Sequence, residues 1–324
     1  MTANVDSMMY AGDVPWHGLG TYVGDSPVLS GEAITAAGLD WQVEKWPLMA
    51  FSMDTDDTLI VPDMHQTIRV PGNLPLGTVG SGYEIVQNDE AFAFLDAIVG
   101  PGKLLRYHTA GALGHGHRVW MLAEVVDLII EPVPGDVTKV YLLLTTGHDG
   151  KWVVSILWTS VRVVCQNTLN LALGKGGARV KIRHTSKVTD RLDHARDILG
   201  LTTSKVELYQ ELATDLARIQ MNKKSLDDFL LKLVKDPPKG TSPTRAQNRR
   251  KEIEGLFETS PGNDLKGVGG TAWAALQAVT YYTTHARSVR GSTAAGGAEK
   301  RLESSWFGES DNLNQKALKI LVPG

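Results

Sequence analysis

The apolar positions of this chain change period twice. Up to residue 28 there is no sustained pattern, only Gly and Pro punctuation around PWHGLGTYVGDSP, which predicts irregular chain. Ser30 then stands as a cap before GEAITAAGL, with Glu32 in the first turn, so a short helix is expected. WQVEKWPLMAF, DTLIVP, HQTIRV and LGTVGSGYEIV follow as β-branched and aromatic segments, separated by turns at 54–57 and 71–75, and read as strands. Asn88 starts an amphipathic helix, NDEAFAFLDAIVG, in which Phe92, Leu95, Ala97 and Ile98 fall near helical spacing before Gly100 and Pro101 end it.

A second strand group is predicted at 103–108, 118–126, 138–146 and 152–164. Gly-rich turns join these segments, which reads as an antiparallel meander. His148-Asp149-Gly150 suits a hairpin turn because Asp-Gly tolerates positive φ. NTLNLALG reads as a helix that Asn167 or Thr168 would cap. From about residue 186 the period becomes helical, over 186–221, 225–234, 246–257, 271–288 and 312–321. Residues 235–243 form a Pro/Gly/Lys linker, and 291–297 a small-residue loop. Strands first and helices afterwards predict an α+β fold: an antiparallel β-meander with packed helices, then an all-helical part. The expected division is a β-rich core over 1–184 and a helical region over 185–324.

Charge changes this picture. The first 100 residues carry 14 Asp/Glu and two bases, Lys45 and Arg69, a net of −12; the remainder carries 31 Lys/Arg and 22 Asp/Glu, a net of +9. Such segregation suits a polyanion partner for the basic part, head-to-tail association of unlike surfaces, or a fold that mixes the signs in space. The single cysteine fits a reducing compartment, and no leader pattern or apolar run of about 18–20 residues is present, so a cytoplasmic protein is expected, without a membrane partner.

No phosphate loop, nucleophile elbow or metal-cage spacing appears. His115 and His117 are two apart, but Gly114 and Gly116 favour a turn over a ligand pair, even if the meander brings His108 and His148 close. Cys165 follows Arg162, and His184 or His148 could serve it as a base. A strand-end cysteine is equally a small hydrophobe. No cofactor, metal or catalytic residue is assigned. The strongest chemical signal is basic. Residues 175–196 hold Lys175, Arg179, Lys181, Arg183, Lys187, Arg191 and Arg196 against Asp190 and Asp193, a net of +5. Arg179, Lys181 and Arg183 alternate with Val180 and Ile182, so a strand would present the bases on one face at about 6–7 Å intervals. Lys151 and Trp152, at a turn, add a cation and a stacking platform. A second basic run comprises Lys239, Arg245, Arg249, Arg250 and Lys251.

PWHGLG, GSGYEIVQNDEAFAFLDAIVG, LTTGHDG, VRVVCQNTL, the RHT segment, GTAWAALQAVTYYTTHAR and WFGES with LNQKAL together resemble the phage/plasmid-like protein family. That family is built on a prokaryotic domain of unknown function, number 932. The resemblance spans nearly the whole chain. It implies a mobile-element origin and brings no catalytic residue. The element order also resembles, in architecture only, the core of single-strand annealing recombinases, which form rings that hold DNA along a basic groove. That resemblance implies phosphate contacts at Arg162, Lys175, Arg179, Lys181 and Arg183. The expectation is a non-catalytic, homo-oligomeric single-stranded DNA-binding protein for annealing or recombination. The alternatives are a host-directed anti-defence factor acting through the acidic N-terminal part, and a metal or thiol enzyme using His108, His115, His117, His148 or Cys165.

Overall fold

The computed structural model describes residues 5–12, 20–25, 28–98, 105–162, 165–167, 179–185, 202–287 and 309–322. The chain opens with β1 (Val5–Tyr10), β2 (Thr21–Tyr22) and α1 (Ser30–Ala36). β3 (Gln42–Phe51), β4 (Thr58–Val70), β5 (Leu74–Gly80) and α2 (Asn88–Ile98) follow. The predicted meander is β6 (Leu105–Leu113), β7 (Arg118–Ile130), β8 (Thr138–Gly147) and β9 (Val154–Arg162), with a 3-10 turn at Gly114–Gly116. Two short strands, β10 (Cys165–Asn167) and β11 (Arg179–Ile182), complete the β part. Then come α3 (Thr202–Arg218), α4 (Lys223–Leu233), α5 (Thr244–Thr259), α6 (Ala272–Tyr281) with a π-turn at Tyr282–Ala286, and α7 (Glu309–Leu321). The fold is α+β, with a helical C-terminal part.

The large sheet has the order β10-β9-β8-β7-β6-β1-β2, and β11 shares the outer edge of β9 with β10. Its central strands are apolar on both faces. Val140, Leu142 and Leu144 of β8 join the main core, whereas Tyr141 and Leu143 join a second cluster with Met8, Trp120, Leu122 and Leu157. Burial on both sides explains the continuous apolar run of β8, where a half-exposed strand would alternate with polar residues. α1, α2, α3 and α6 cover the main-core face.

β1 overturns the expectation of irregular chain before residue 28. VDSMMY is too short to show a period, yet pairing with β6 buries Met8 and Met9 on opposite faces. α1 is capped by Leu29 and not Ser30, and Glu32 reaches back to the Leu29 N–H at 3.4 Å. NTLNLALG starts differently from expectation: Asn167 pairs with Ser160 in β10, and the rest of that segment lies outside the described residues. The helical readings over 186–201 and the loop at 291–297 also lie outside them.

The second sheet, β3-β4-β5, lies against the meander. β5 packs so closely on the β8–β9 turn that a Cβ at Gly77 would stand 2.5 Å from the Asp149 Cα. Thr67 Oγ1 donates to the His148 carbonyl at 2.6 Å in the same junction. Two predicted strands, DTLIVP and HQTIRV, are one strand, β4. Pro62 falls where β3 pairing shifts register and before β5 pairing begins at Met64, so neither ladder needs its missing N–H. The segment Tyr83–Val86, expected to extend a strand, lies beyond the end of β5. The distal half of the β3–β4 hairpin projects from the body: Met49, Phe51, Leu59 and Ile60 are all exposed.

α6 is buried from Ala272 to Thr280, as a helix apolar all round requires. Thr271 Oγ1 caps it by accepting from the Ala274 N–H at 3.2 Å. Trp273 Nε1 donates to the buried Asp136 carboxylate at 2.7 Å, tying α6 to the β7–β8 connection. Gln210 of α3 makes two 2.7 Å hydrogen bonds to the backbone of Glu131.

Candidate nucleic-acid interface

β11 lies antiparallel to β9, with Lys181 opposite Ser155 and Ile182 opposite Val154. The predicted alternation holds where side chains are described: Ile182 is buried, Val180 half-buried, Lys181 and Arg183 exposed. The register carries Arg183 toward the turn at 148–153, where Lys151 is also exposed. Gly150 in that turn has φ +74°, the conformation expected of Asp-Gly. Lys151 donates its backbone N–H to Asp149 Oδ1 at 2.9 Å. Trp152 is half-buried and not an open platform, because the Arg118 guanidinium lies 4.0 Å from its ring centroid. Such a cation–π contact is worth about 0.5–1 kcal/mol at an exposed site. Arg118 was not singled out by its sequence, since its ring partner lies in the turn between two later strands. The side chains of Arg162 and Arg179, and all of Lys175, lie outside the described residues.

The histidines beside this corner serve the fold. His148 is fully buried; Nε2–H donates to Asn88 Oδ1 at 3.2 Å, and Asn88 Nδ2 in turn donates to the Leu39 carbonyl at 2.9 Å. Burial, reinforced by nearby His184, pushes its pKa down to about 3. His184 stacks on Tyr83 at 4.8 Å and its Nδ1 donates to the Glu84 carbonyl at 2.9 Å; burial lowers its pKa. His115 faces Asp6 and His117 bonds the Gly114 carbonyl, so the 3-10 turn does not aim them at one ligand. His108 lies beside Tyr141. Among the described residues no group of three or more His, Cys, Asp or Glu is arranged to hold a metal ion. Cys165 opens β10, and its side chain is outside the described set.

The second basic run forms a different surface. α4, the 235–243 loop, the start of α5, Arg287 and α7 enclose a groove of roughly 630 Å³. Lys235, Arg245, Arg249, Arg287 and Lys316 line it above an apolar floor that includes Leu233, Pro237 and Leu313. Among the described lining residues there is no carboxylate. Arg250 braces the loop from behind, donating to the Val234 carbonyl at 2.7 Å and to Asp236 at 2.6 Å. Arg245 sits in the first turn of α5, at the positive end of the helix dipole, with no acidic residue in that turn. Arg245 and Arg249 are four apart, a like-charge spacing that destabilises an isolated helix by about 0.2–0.5 kcal/mol. Local choices that disfavour the helix in this way suit a surface that meets an anion.

A family model described as a domain of unknown function, DUF932, matches residues 75–306, well over half of the chain. The matched span contains the meander, β11 and most of the groove, and begins after the projecting β3–β4 hairpin. No curated protein and no solved structure matches the chain. No helix among the described residues is long and apolar enough to cross a membrane.

Proposed function

The chain belongs to the DUF932 family, and we propose that it is a phage or mobile-element DNA-binding protein that holds single-stranded DNA for annealing or recombination without catalysing a reaction. The observation that supports this reading is the basic edge of the large sheet. Lys181 and Arg183 stand exposed on one side of β11 while Ile182 anchors the strand in the core, and Lys151 adds a cation from the adjoining turn. A rigid row of cations can track a phosphate backbone without reading its sequence. In sequence, Arg162, Lys175 and Arg179 are further bases near this edge. The likeness to annealing recombinases adds direction through architecture alone.

The test is fluorescence anisotropy of the purified protein with a labelled single-stranded oligonucleotide across a salt series. Binding should weaken steeply with salt, and replacing Lys151, Lys181 and Arg183 by Ala should lower the salt slope by about 1 per lost phosphate contact. Unchanged binding in that triple variant would remove this edge as the interface. Absence of binding at low salt would move the reading to a host-directed interaction factor, which the exposed carboxylates of the acidic N-terminal part favour.

A further inference from the structure

The projecting half of the β3–β4 hairpin has the composition of a docking element. Residues 49–60 contain Asp54, Asp56 and Asp57 and no base. Met49 pairs with Ile60 and Ala50 with Leu59, and directly opposed residues share a face. Phe51 belongs with Met49 and Ile60, so apolar side chains stand on both faces of the arm. Phe51 is 61% exposed, Leu59 67% and Met53, at the tip, 90%. The tip itself is ordered: the Ser52 N–H donates to the Asp57 carbonyl at 2.9 Å, and Thr55 Oγ1 donates to Asp57 Oδ2 at 2.7 Å. An ordered hairpin that leaves both faces in water gains little from its own apolar residues, and contiguous exposed apolar surface of this kind marks an interaction site.

We propose that the arm of one copy seats in the basic groove of a second copy, with Asp54 and Asp57 against Arg245 and Arg249 and Met53 on the apolar floor. Charge complementarity carries the choice of occupant. The arm offers acids beside an apolar tip, and the groove offers cations around an apolar floor. Arg245 and Arg249 make no ion pair with any described residue. The groove volume of roughly 630 Å³ falls within the range of about 300–1,000 Å³ that holds a discrete ligand. The near-complete exposure of Met53 shows that the chain's own groove does not hold the tip. Arm and groove are different surfaces, so the contact is head-to-tail. It closes into a ring or continues as a filament according to the rotation between copies. The inference is independent of the DNA reading, because neither surface includes β11.

Sedimentation velocity of the full chain, at micromolar concentration and low salt, tests it. The wild type should sediment as an assembly and shift toward monomer as salt rises. Asp54→Lys with Asp57→Lys should give monomer, as should Arg245→Glu with Arg249→Glu. Circular dichroism on both variants checks that these surface changes leave the fold intact. Mixing the two variants should restore the assembly, since a basic arm then meets an acidic groove and an acidic arm meets a basic one. A wild type that stays monomeric, a variant that keeps the wild-type mass, or a mixture that stays monomeric would each overturn the proposal. So would an oligonucleotide that binds the wild type and the arm variant alike but not the groove variant, in a protein that is monomeric throughout. The groove would then be a nucleic-acid site.

Discussion

β8 and the distal β3–β4 arm are built from similar residues and meet opposite fates. YLLLTT in β8 is buried on both faces, whereas Met49, Phe51, Leu59 and Ile60 in the arm face water. Propensity does not separate them, since both stretches are apolar and both form ladders. The difference lies in neighbours. β8 has β7 and β9 at its edges, helices over one face and the Met8–Trp120–Leu157 cluster on the other. Among the described residues, the arm beyond Pro47 has only its own two strands in its ladder. An apolar residue stabilises a fold through the contacts that remove it from water, so the same side chain can be essential in one ladder and dispensable in the other.

The largest expected effect tests the buried side of that contrast. Leu142 is fully buried in β8, at the main core. Leu142→Ala should lower the unfolding free energy by about 2–5 kcal/mol, through lost transfer energy and the cavity left behind. Urea unfolding of the purified variant measures it. A loss below the value found for an exposed leucine would mean that the meander is not the packed center described above.

The next effect belongs to the junction between the two sheets. His148 is neutral in the folded chain, with a pKa pushed down to about 3 by burial, whereas a free histidine titrates near ~6.5. Between these values the unfolded chain takes up a proton that the folded chain refuses. The stabilisation is therefore complete above pH ~6.5 and declines as the pH falls, by about 1.4 kcal/mol per unit. His184, also lowered by burial, acts with the same sign. From pH 6.5 to 5 the loss from His148 alone is about 2 kcal/mol. Urea midpoints across that range should fall for the wild type and flatten for His148→Gln. An equal slope in the two proteins would take His148 out of the pH response.

That junction also marks what the sequence could reveal. The meander was legible because its strands are long and joined by Gly-rich turns, and the amphipathic helix at Asn88 because its period and its stop signal agree. β1 was not, since its burial depends on β6, which pairs with it from the far side of the β3–β5 sheet in sequence, as Tyr10 with Thr109. β4 was read as two strands because Pro62 normally interrupts a ladder, and only the three-strand register reveals that its N–H is not needed. At the candidate interface the alternation of Lys181, Ile182 and Arg183 was visible in the sequence. The Arg118–Trp152 contact was not, because the start of β7 and the β8–β9 turn bring it together. The basic run at 239–251 was legible as charge but not as a groove, because Arg287 and Lys316 come from later segments.

The smallest expected effect is the sharpest test of the comparison. Leu59→Ser replaces a leucine that is 67% exposed, on a stretch of strand that pairs, among the described residues, only with its hairpin partner. Little apolar surface returns to water on unfolding at this position, and no buried group loses a partner. Surface substitutions of this kind usually change stability by no more than about 0.5 kcal/mol. The measurement is a urea midpoint in high salt, where association through charge is screened and the folded monomer is the reference state. A midpoint unchanged within that margin, beside a Leu142→Ala variant that loses several times more, would establish that the arm's apolar residues do not serve the fold of the single chain. A large loss at Leu59 would instead mean that the arm packs against the body of its own chain in solution, and the contrast with β8 would collapse.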